Sequence, residues 1–94
     1  MEYRIYQLDG RHKEYLFRHC KNVRKSWYNE VYSGDIEPKT DVMATLEELY
    51  VIFNMRHPSD FKGHSLSVSD VVYLDGKYYF CDILGFKELT DFVD

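Results

Sequence analysis

The chain has 94 residues, 45% of them hydrophobic and 30% charged, a composition that predicts a single globular domain over residues 1–94 and excludes a largely disordered chain. Its net charge is only −4, and no apolar run reaches the length of a membrane span, so we expect no membrane association. The N-terminus lacks the apolar core of a signal peptide, and the two cysteines, Cys20 and Cys81, form no framework of a small secreted protein. We therefore expect a cytoplasmic protein with reduced thiols.

The first and second predicted strands flank a basic segment. Residues 3–8 are rich in β-forming side chains and are followed by Asp9-Gly10, which predicts an opening strand that ends in a turn. Residues 28–36 also predict a strand, interrupted at Ser33-Gly34.

The segment between these strands has two interpretations. Apolar residues recur there with helical spacing, at Leu16, Cys20, Val23 and Trp27. This spacing predicts a helix over 19–26, whereas residues 14–18 fit either a helix or a strand that returns beside the first. The segment is also basic: residues 11–25 carry six basic side chains and one acidic one. Such asymmetry favours a surface that faces a partner, and the alternative is a solvated helix face that pairs with the protein's own acids. The candidate partner-binding residues here are Arg18, Lys21, Arg24 and Lys25.

A short amphipathic helix is predicted over residues 45–54. Thr45 and Glu48 have the spacing of a capping box, in which Thr45 is the N-cap and Glu48 reaches back to its amide. An apolar stripe follows, made of Leu46, Leu49, Tyr50 and Phe53. His57-Pro58 ends the helix, which we expect to lie on one face of a sheet.

The dipeptide Asp75-Gly76 predicts a β-hairpin. It lies between two β-rich runs, at about 70–74 and 77–83, and favours a type I′ turn. Such a turn places Tyr73 opposite Tyr78. A last strand or turn is expected around 86–89. The elements together predict an α+β fold, in which a small, largely antiparallel sheet carries the helix on one face and includes the hairpin at about 70–83.

Both faces of this hairpin are apolar, although a hairpin with one wet side should alternate apolar with polar residues. One face carries Val71, Tyr73, Tyr78 and Phe80, and the other carries Val72, Leu74, Tyr79, Cys81 and Ile83. The helix can cover only one face, most simply the second. The aromatic face must be covered by the 19–27 segment, by a second copy of the chain or by a foreign partner, unless its tyrosines face water. We predict that Tyr73, Tyr78 and Phe80 contact a dimer mate or another partner.

Residues 63–70, Gly-His-Ser-Leu-Ser-Val-Ser-Asp, combine a histidine, three hydroxyls and a carboxylate. Catalytic triads are assembled from residues that converge in space, so we interpret this segment as a structural turn and not as a catalytic site. Ser67 or Ser69 would bond nearby amides, and Gly63 would supply a backbone angle that a Cβ forbids. The residues assigned a structural role in the predicted motifs are Thr45, Glu48, Gly63, His64, Ser65, Ser67, Ser69 and Asp70.

No catalytic residue, metal site or cofactor is predicted. The histidines and cysteines lack the spacing of metal ligands, and the chain contains no glycine-rich phosphate loop.

Residues 45–89 resemble the YodL-like domain family. Residues 45–54 match its T-L-E-x-[IL]-Y-x-x-F-N helix, and residues 58–72 match its P-x-D-[FY]-x-G-H-S-L-S-V-S-D-V-[VI] block. Gly85, Phe86 and Leu89 match its terminal G-F-x-x-[LV], whereas residues 11–40 match only loosely. The resemblance implies a small α+β domain that stands alone in some bacteria and recurs in large proteins of conjugative elements and phages. It implies no established catalytic residue.

We therefore expect a non-enzymatic protein-binding module. The habitats of the family suggest a bacterial or mobile-element inhibitor of a host defence or cytoskeletal complex. The alternative is a nucleic-acid-associated or phosphate-mimicking factor of the antirestriction or anti-CRISPR type. Arg18, Lys21 and Lys25 near Trp27 favour this alternative, but the overall acidity opposes phosphate contact and −4 is a small charge for mimicry.

Overall fold

Five strands and one α-helix are present in the residues that the structure describes, which are 1–10 and 23–92 of a computed structural model. The elements are β1 (Glu2–Leu8), β2 (Tyr28–Asp35), α1 (Val42–Met55), β3 (Val71–Leu74), β4 (Lys77–Asp82) and β5 (Gly85–Leu89). The strands form one antiparallel sheet in the order β2-β1-β3-β4-β5. The predicted α+β class, with a helix beside an antiparallel sheet, is confirmed.

The hairpin formed by β3 and β4 follows the prediction. Asp75 and Gly76 have φ angles of 52° and 87°, as a type I′ turn requires. The pairing runs from Val71 opposite Phe80 to Leu74 opposite Lys77. The last strand, β5, continues the sheet beyond β4.

Helix α1 begins three residues earlier than predicted, and the capping box is wrong. The N-cap is Asp41, whose Oδ1 accepts a hydrogen bond of 2.8 Å from the Ala44 amide. Thr45 lies inside the helix, where its Oγ1 donates to the Asp41 carbonyl at 2.9 Å. The same oxygen accepts from the Lys39 amide at 2.9 Å, and Glu48 forms an ion pair with Arg56 at 3.0 Å. Asp41 is the N-cap because it directly precedes the first helical turn. Thr45 lies within the helix, and its hydroxyl binds the Lys39 amide of the preceding loop.

Strand β2 passes through Ser33-Gly34 without the predicted break. Gly34 lies opposite Tyr3, and a Cβ on Gly34 would come within 2.8 Å of the tyrosine Oη. The glycine therefore gives room to a neighbouring ring and does not end the strand.

The predicted helix over 19–26 is absent where the chain is described. Val23 and Arg24 are not helical, and Lys25–Trp27 forms one turn of 3-10 helix that leads into β2. The choice between helix and strand for 14–18 lies outside the described residues.

Each face of the sheet carries a hydrophobic cluster formed by this chain. Helix α1 covers one face with Leu46, Leu49 and Phe53, which pack on Val72 and Leu74. The other face forms a second cluster, made of Tyr6, Val23, Tyr28, Val71, Phe80, Leu89 and Phe92. The prediction that α1 covers the aliphatic face of the hairpin is correct for Val72, Leu74 and Tyr79, which cluster with the helix. Cys81 lies outside that cluster, and Ile83 lies in the turn after β4 and is 62% exposed. Across the described residues, no helix combines the length and apolar character needed to cross a membrane.

Candidate functional site

The aromatic face of the hairpin is largely internal. Phe80 is 2% exposed within the second core cluster, so its predicted contact with a partner is wrong in this fold. Tyr73 and Tyr78 are half-buried, and the Tyr78 ring lies 4.9 Å from that of Phe92 and 5.9 Å from that of Tyr6. Part of this cover comes from Val23 and Trp27 of the 19–27 segment, one of the three covers expected from the sequence. The sequence pattern did not show that Phe92, just beyond β5, would also contribute.

The basic residues do not form a separate patch in the described region. The Lys25 ammonium lies 5.6 Å from the centre of the Tyr78 ring and 3.5 Å from its hydroxyl, so it packs on the aromatic face. Arg24 is exposed. Arg18 and Lys21, the other predicted contacts of this group, lie outside the described residues.

The segment 63–70 forms a loop that is held by a buried carboxylate. Asp70 is fully buried, and its Oδ2 accepts hydrogen bonds from the Ser67 amide at 2.9 Å and from Gln7 Nε2 at 3.1 Å. The Asp70 amide donates a hydrogen bond of 3.1 Å to the Ser67 carbonyl, which closes the turn. The predicted turn is therefore present, but the Ser67 amide is bound by the carboxylate of Asp70.

Main-chain geometry gives Ser69 and Gly63 different roles from those predicted. Ser69, and not Gly63, takes the left-handed conformation, with φ of 86°. It is held there by its amide, which donates to the Cys81 carbonyl at 2.9 Å, and by its carbonyl, which accepts from the Tyr28 hydroxyl at 2.6 Å. Gly63 is needed for space, because a Cβ there would collide with Gln7 Oε1 and approach Phe61 Cζ within 2.9 Å.

The Asp70 carboxyl and the His64 ring face each other without forming a catalytic pair. His64 Nδ1 lies 2.7 Å from the Ser65 carbonyl and 3.2 Å from Gln7 Nε2, and the shorter contact, to an acceptor, favours a proton on that nitrogen. In the neutral ring the other nitrogen, Nε2, is then unprotonated and faces Asp70 Oδ1 at 3.8 Å. Burial raises the pKa of Asp70 to about 7, so the carboxyl keeps its proton at pH values well above the ordinary pKa of an aspartate. A triad histidine needs one ring nitrogen for the acid and the other for a hydroxyl, and here the second nitrogen is occupied by a main-chain carbonyl.

The described residues offer neither a reactive thiol nor a metal site. Burial raises the pKa of Cys81 to about 12, which keeps the thiol neutral. No group of three or more potential metal ligands occurs in the described residues.

An apolar groove lies between α1 and the turn that joins β4 to β5, and we call it the α1 groove. Its volume is about 640 Å³, within the range of pockets that bind ligands or anchor side chains. The helix wall is formed by Met43, Glu47, Tyr50 and Val51, and the opposite end by Ile83 and Leu84. The floor includes Cys81 and Phe86.

A family model describing the YodL-like domain matches residues 2–92. The chain belongs to the YodL-like domain family. No curated protein and no solved structure matches the chain.

In this YodL-like domain the loop of residues 63–70, which we call the polar loop, and the α1 groove are separate features. The polar loop uses its functional groups internally, because Asp70 and His64 bind the main chain and Gln7. The α1 groove presents apolar side chains outward, with Ile83 62% exposed and Leu84 93% exposed.

Sequence reasoning missed the α1 groove of the YodL-like domain. Tyr50 was assigned to the buried stripe of the helix, but it is 42% exposed and faces the groove. Ile83 was assigned to a strand. One signal was available: the apolar pair Ile83-Leu84 directly precedes Gly85, where turn residues are usually small or polar.

Proposed function

We propose that this YodL-like domain is a non-enzymatic protein-binding module that docks onto its partner through the α1 groove. The observation that carries the proposal is the apolar tip of the β4–β5 turn. Ile83 and Leu84 occupy a turn that could be built from polar residues, and the fold leaves both largely exposed.

The exposed turn continues into an exposed face of α1. Met43, Tyr50 and Val51 are 40–45% exposed and line the same groove as Ile83 and Leu84. Single exposed apolar residues are common on proteins, but a contiguous group with a concave shape is typical of interaction sites. A tyrosine among aliphatic side chains is also a common anchor in protein interfaces.

The state of the reactive side chains supports a role other than catalysis. Asp70 is enclosed and hydrogen-bonded to the main chain, His64 is engaged at Nδ1, and the thiol of Cys81 is neutral and buried. Cys81 lies in the floor of the α1 groove but is buried, and Asp70 and His64 do not line the groove. The groove therefore receives no exposed acid, base or nucleophile from these three residues.

Charge favours a foreign partner over a second copy of the chain. The charged residues that line the α1 groove are Glu47 and Asp82, both acidic. Asp82 is paired with Lys87, so Glu47 is the charge that a dimer would have to accommodate. A symmetric dimer through this groove would place two copies of Glu47 in one interface without a cation from either groove, and like charges in an interface are costly. The partner is therefore expected to be a different protein. We also propose a cytoplasmic location, which the cysteine usage and the polar N-terminus support, and a target in a host defence or cytoskeletal complex, which the family resemblance supports.

Site-specific photocrosslinking in the native host tests the proposal. A photoreactive amino acid replaces Leu84, and in the matched control it replaces Met55, which is 79% exposed on α1 but does not line the groove. We expect one protein adduct from position 84 that is absent from position 55. The captured protein, purified and mixed with the YodL-like domain, should form a complex that Leu84→Asp weakens by about tenfold or more and Met55→Asp leaves unchanged.

Two results would overturn the proposal. One is an adduct pattern that is the same at positions 84 and 55, since it would show no preference for the groove. The other is an adduct at position 84 that contains only a second copy of the chain or only nucleic acid.

A further inference from the structure

We infer that the α1 groove receives an amphipathic α-helix of the partner, which lies beside α1 and directs a lysine or arginine toward Glu47. This inference rests on the proposed function and specifies the partner's chemistry. It follows from the place of the groove in the sheet, from the position of its walls and from its charge.

The floor of the groove lies beside the part of the sheet on which α1 packs. Helix α1 packs on β3 through Val72 and Leu74, while the floor of the groove lies on β4 and β5, at Cys81 and Phe86. Strand β5 is two strands away from β3 in the sheet order, which is roughly 10 Å at the usual strand spacing. Packed helices have interaxial distances of about 8–10 Å, so a second helix over β4 and β5 would contact α1 directly.

The positions of the exposed apolar residues favour a helix over an added strand. Met43, Tyr50 and Val51 recur at i, i+7 and i+8 on α1, so they form one outward stripe along the helix. A strand added at the edge of β5 would lie farther from α1 and would leave this stripe exposed. A helix in the groove covers the stripe on one side and Ile83 and Leu84 on the other.

Glu47 supplies the charge preference. It lies between Met43 and Tyr50 on the same stripe, at i+4 and i+7 spacing, and forms no ion pair among the described residues. Asp82, on the opposite side of the groove, is already 3.4 Å from the Lys87 ammonium. Glu47 is therefore the carboxylate that a cation of the partner would meet, and complementary charge at an interface governs partner choice and association rate.

Three synthetic peptides of about the length of α1 test the inference. All carry the same leucine stripe at helical spacing. The first has lysines beside the stripe, the second has glutamates in their place, and the third is the lysine peptide with a central proline that breaks the helix. Binding to the intact chain is measured by fluorescence anisotropy, and the helix content of the peptide by circular dichroism.

We expect the lysine peptide to bind and gain helicity, and the other two to bind about tenfold more weakly or less. Glu47→Lys should reverse the preference between the lysine and glutamate peptides. The matched control, Glu37→Lys, changes an exposed glutamate outside the groove and should leave the preference intact. Leu84→Asp should weaken binding of the lysine peptide by about tenfold, and Met55→Asp should not.

Equal binding of the proline-interrupted peptide would overturn the helical occupant, and equal binding of the glutamate peptide would overturn the charge preference. A concentration-dependent dimer in sedimentation, lost in Leu84→Asp, would overturn the inference in favour of a second copy. If position 84 captures a foreign protein but no peptide shows these preferences, the inference fails and the proposed function stands. If position 84 captures no foreign protein, the proposed function itself fails.

Discussion

The side-chain amide of Gln7 pairs with the main chain of His64, a residue 57 positions away in the sequence. Gln7 Oε1 accepts from the His64 amide at 3.2 Å, and Nε2 donates to the His64 carbonyl at 2.8 Å. The same Nε2 donates to Asp70 Oδ2 at 3.1 Å. One buried amide on β1 therefore fastens both ends of the polar loop to the sheet.

Gln7→Leu should lower the free energy of unfolding by about 2–4 kcal/mol, because it leaves two main-chain groups and part of a carboxyl without partners. Asn29→Leu is the matched control, since Asn29 lies opposite Gln7 on β2 and is exposed. Its effect should stay within about 0.5 kcal/mol. Urea unfolding measures both variants. Equal losses in the two would show that Gln7 does not anchor the loop.

Stability should depend on pH through Asp70. Its folded pKa is raised to about 7 by burial, so the folded protein binds this proton more tightly than the unfolded chain does. The stabilisation is complete below about pH 4, the ordinary range of an aspartate, and is lost as the pH rises through about 7. The groups that face the carboxyl are Gln7 and the Ser67 amide at Oδ2 and His64 at Oδ1, and a protonated His64 reduces the effect.

Asp70→Asn tests this dependence, because an asparagine oxygen can take the place of Oδ2 without gaining a charge. Between pH 4 and pH 8 the wild type should lose roughly 2–4 kcal/mol relative to this variant. Asp75→Asn, in the exposed hairpin turn, should keep the wild-type profile. Parallel profiles for wild type and Asp70→Asn would contradict the prediction.

Gly63→Ala should destabilise the fold by about 1–3 kcal/mol, because the new methyl group would collide with Gln7 Oε1 and crowd Phe61. Gly10→Ala is the control, since nothing lies within 4 Å of a Cβ at that position. It should be neutral or stabilising by up to about 1 kcal/mol. Thermal unfolding of the two variants makes the comparison, and a Gly63→Ala protein as stable as the wild type would show that the loop adjusts freely.

Leu84→Ser should change the free energy of unfolding by less than about 0.5 kcal/mol, because the Leu84 side chain is 93% exposed and serine suits a turn. Leu46→Ala, in the core under α1, should cost about 2–5 kcal/mol. Chemical denaturation measures both changes. A loss above about 1 kcal/mol for Leu84→Ser would mean that the tip of the turn belongs to the core and is not kept apolar for a partner.

Local chemistry explains what could be predicted from the sequence. The Asp75-Gly76 turn determines the register of β3 and β4, because two adjacent residues with positive φ permit few alternatives. The apolar spacing of residues 46–53 likewise predicted a helix against a sheet, and Leu46, Leu49 and Phe53 are its buried residues. The first turn of that helix was predicted wrongly because Asp41 and Thr45 can each serve as an N-cap, and only the position of the preceding loop decides between them.

Only the tertiary structure decided which apolar residues are left outside. Phe80 is buried because Tyr28, 52 residues earlier in the chain, and Phe92, just beyond β5, are brought to its face of the sheet. Tyr50 and Ile83 stay exposed because they line the walls of the α1 groove, outside the cluster in which α1 packs on the sheet. Phe80 and Ile83 are both strongly apolar, yet one is buried and the other exposed. Their burial depends on which surfaces the fold places over them, and no local pattern in the sequence contains that information.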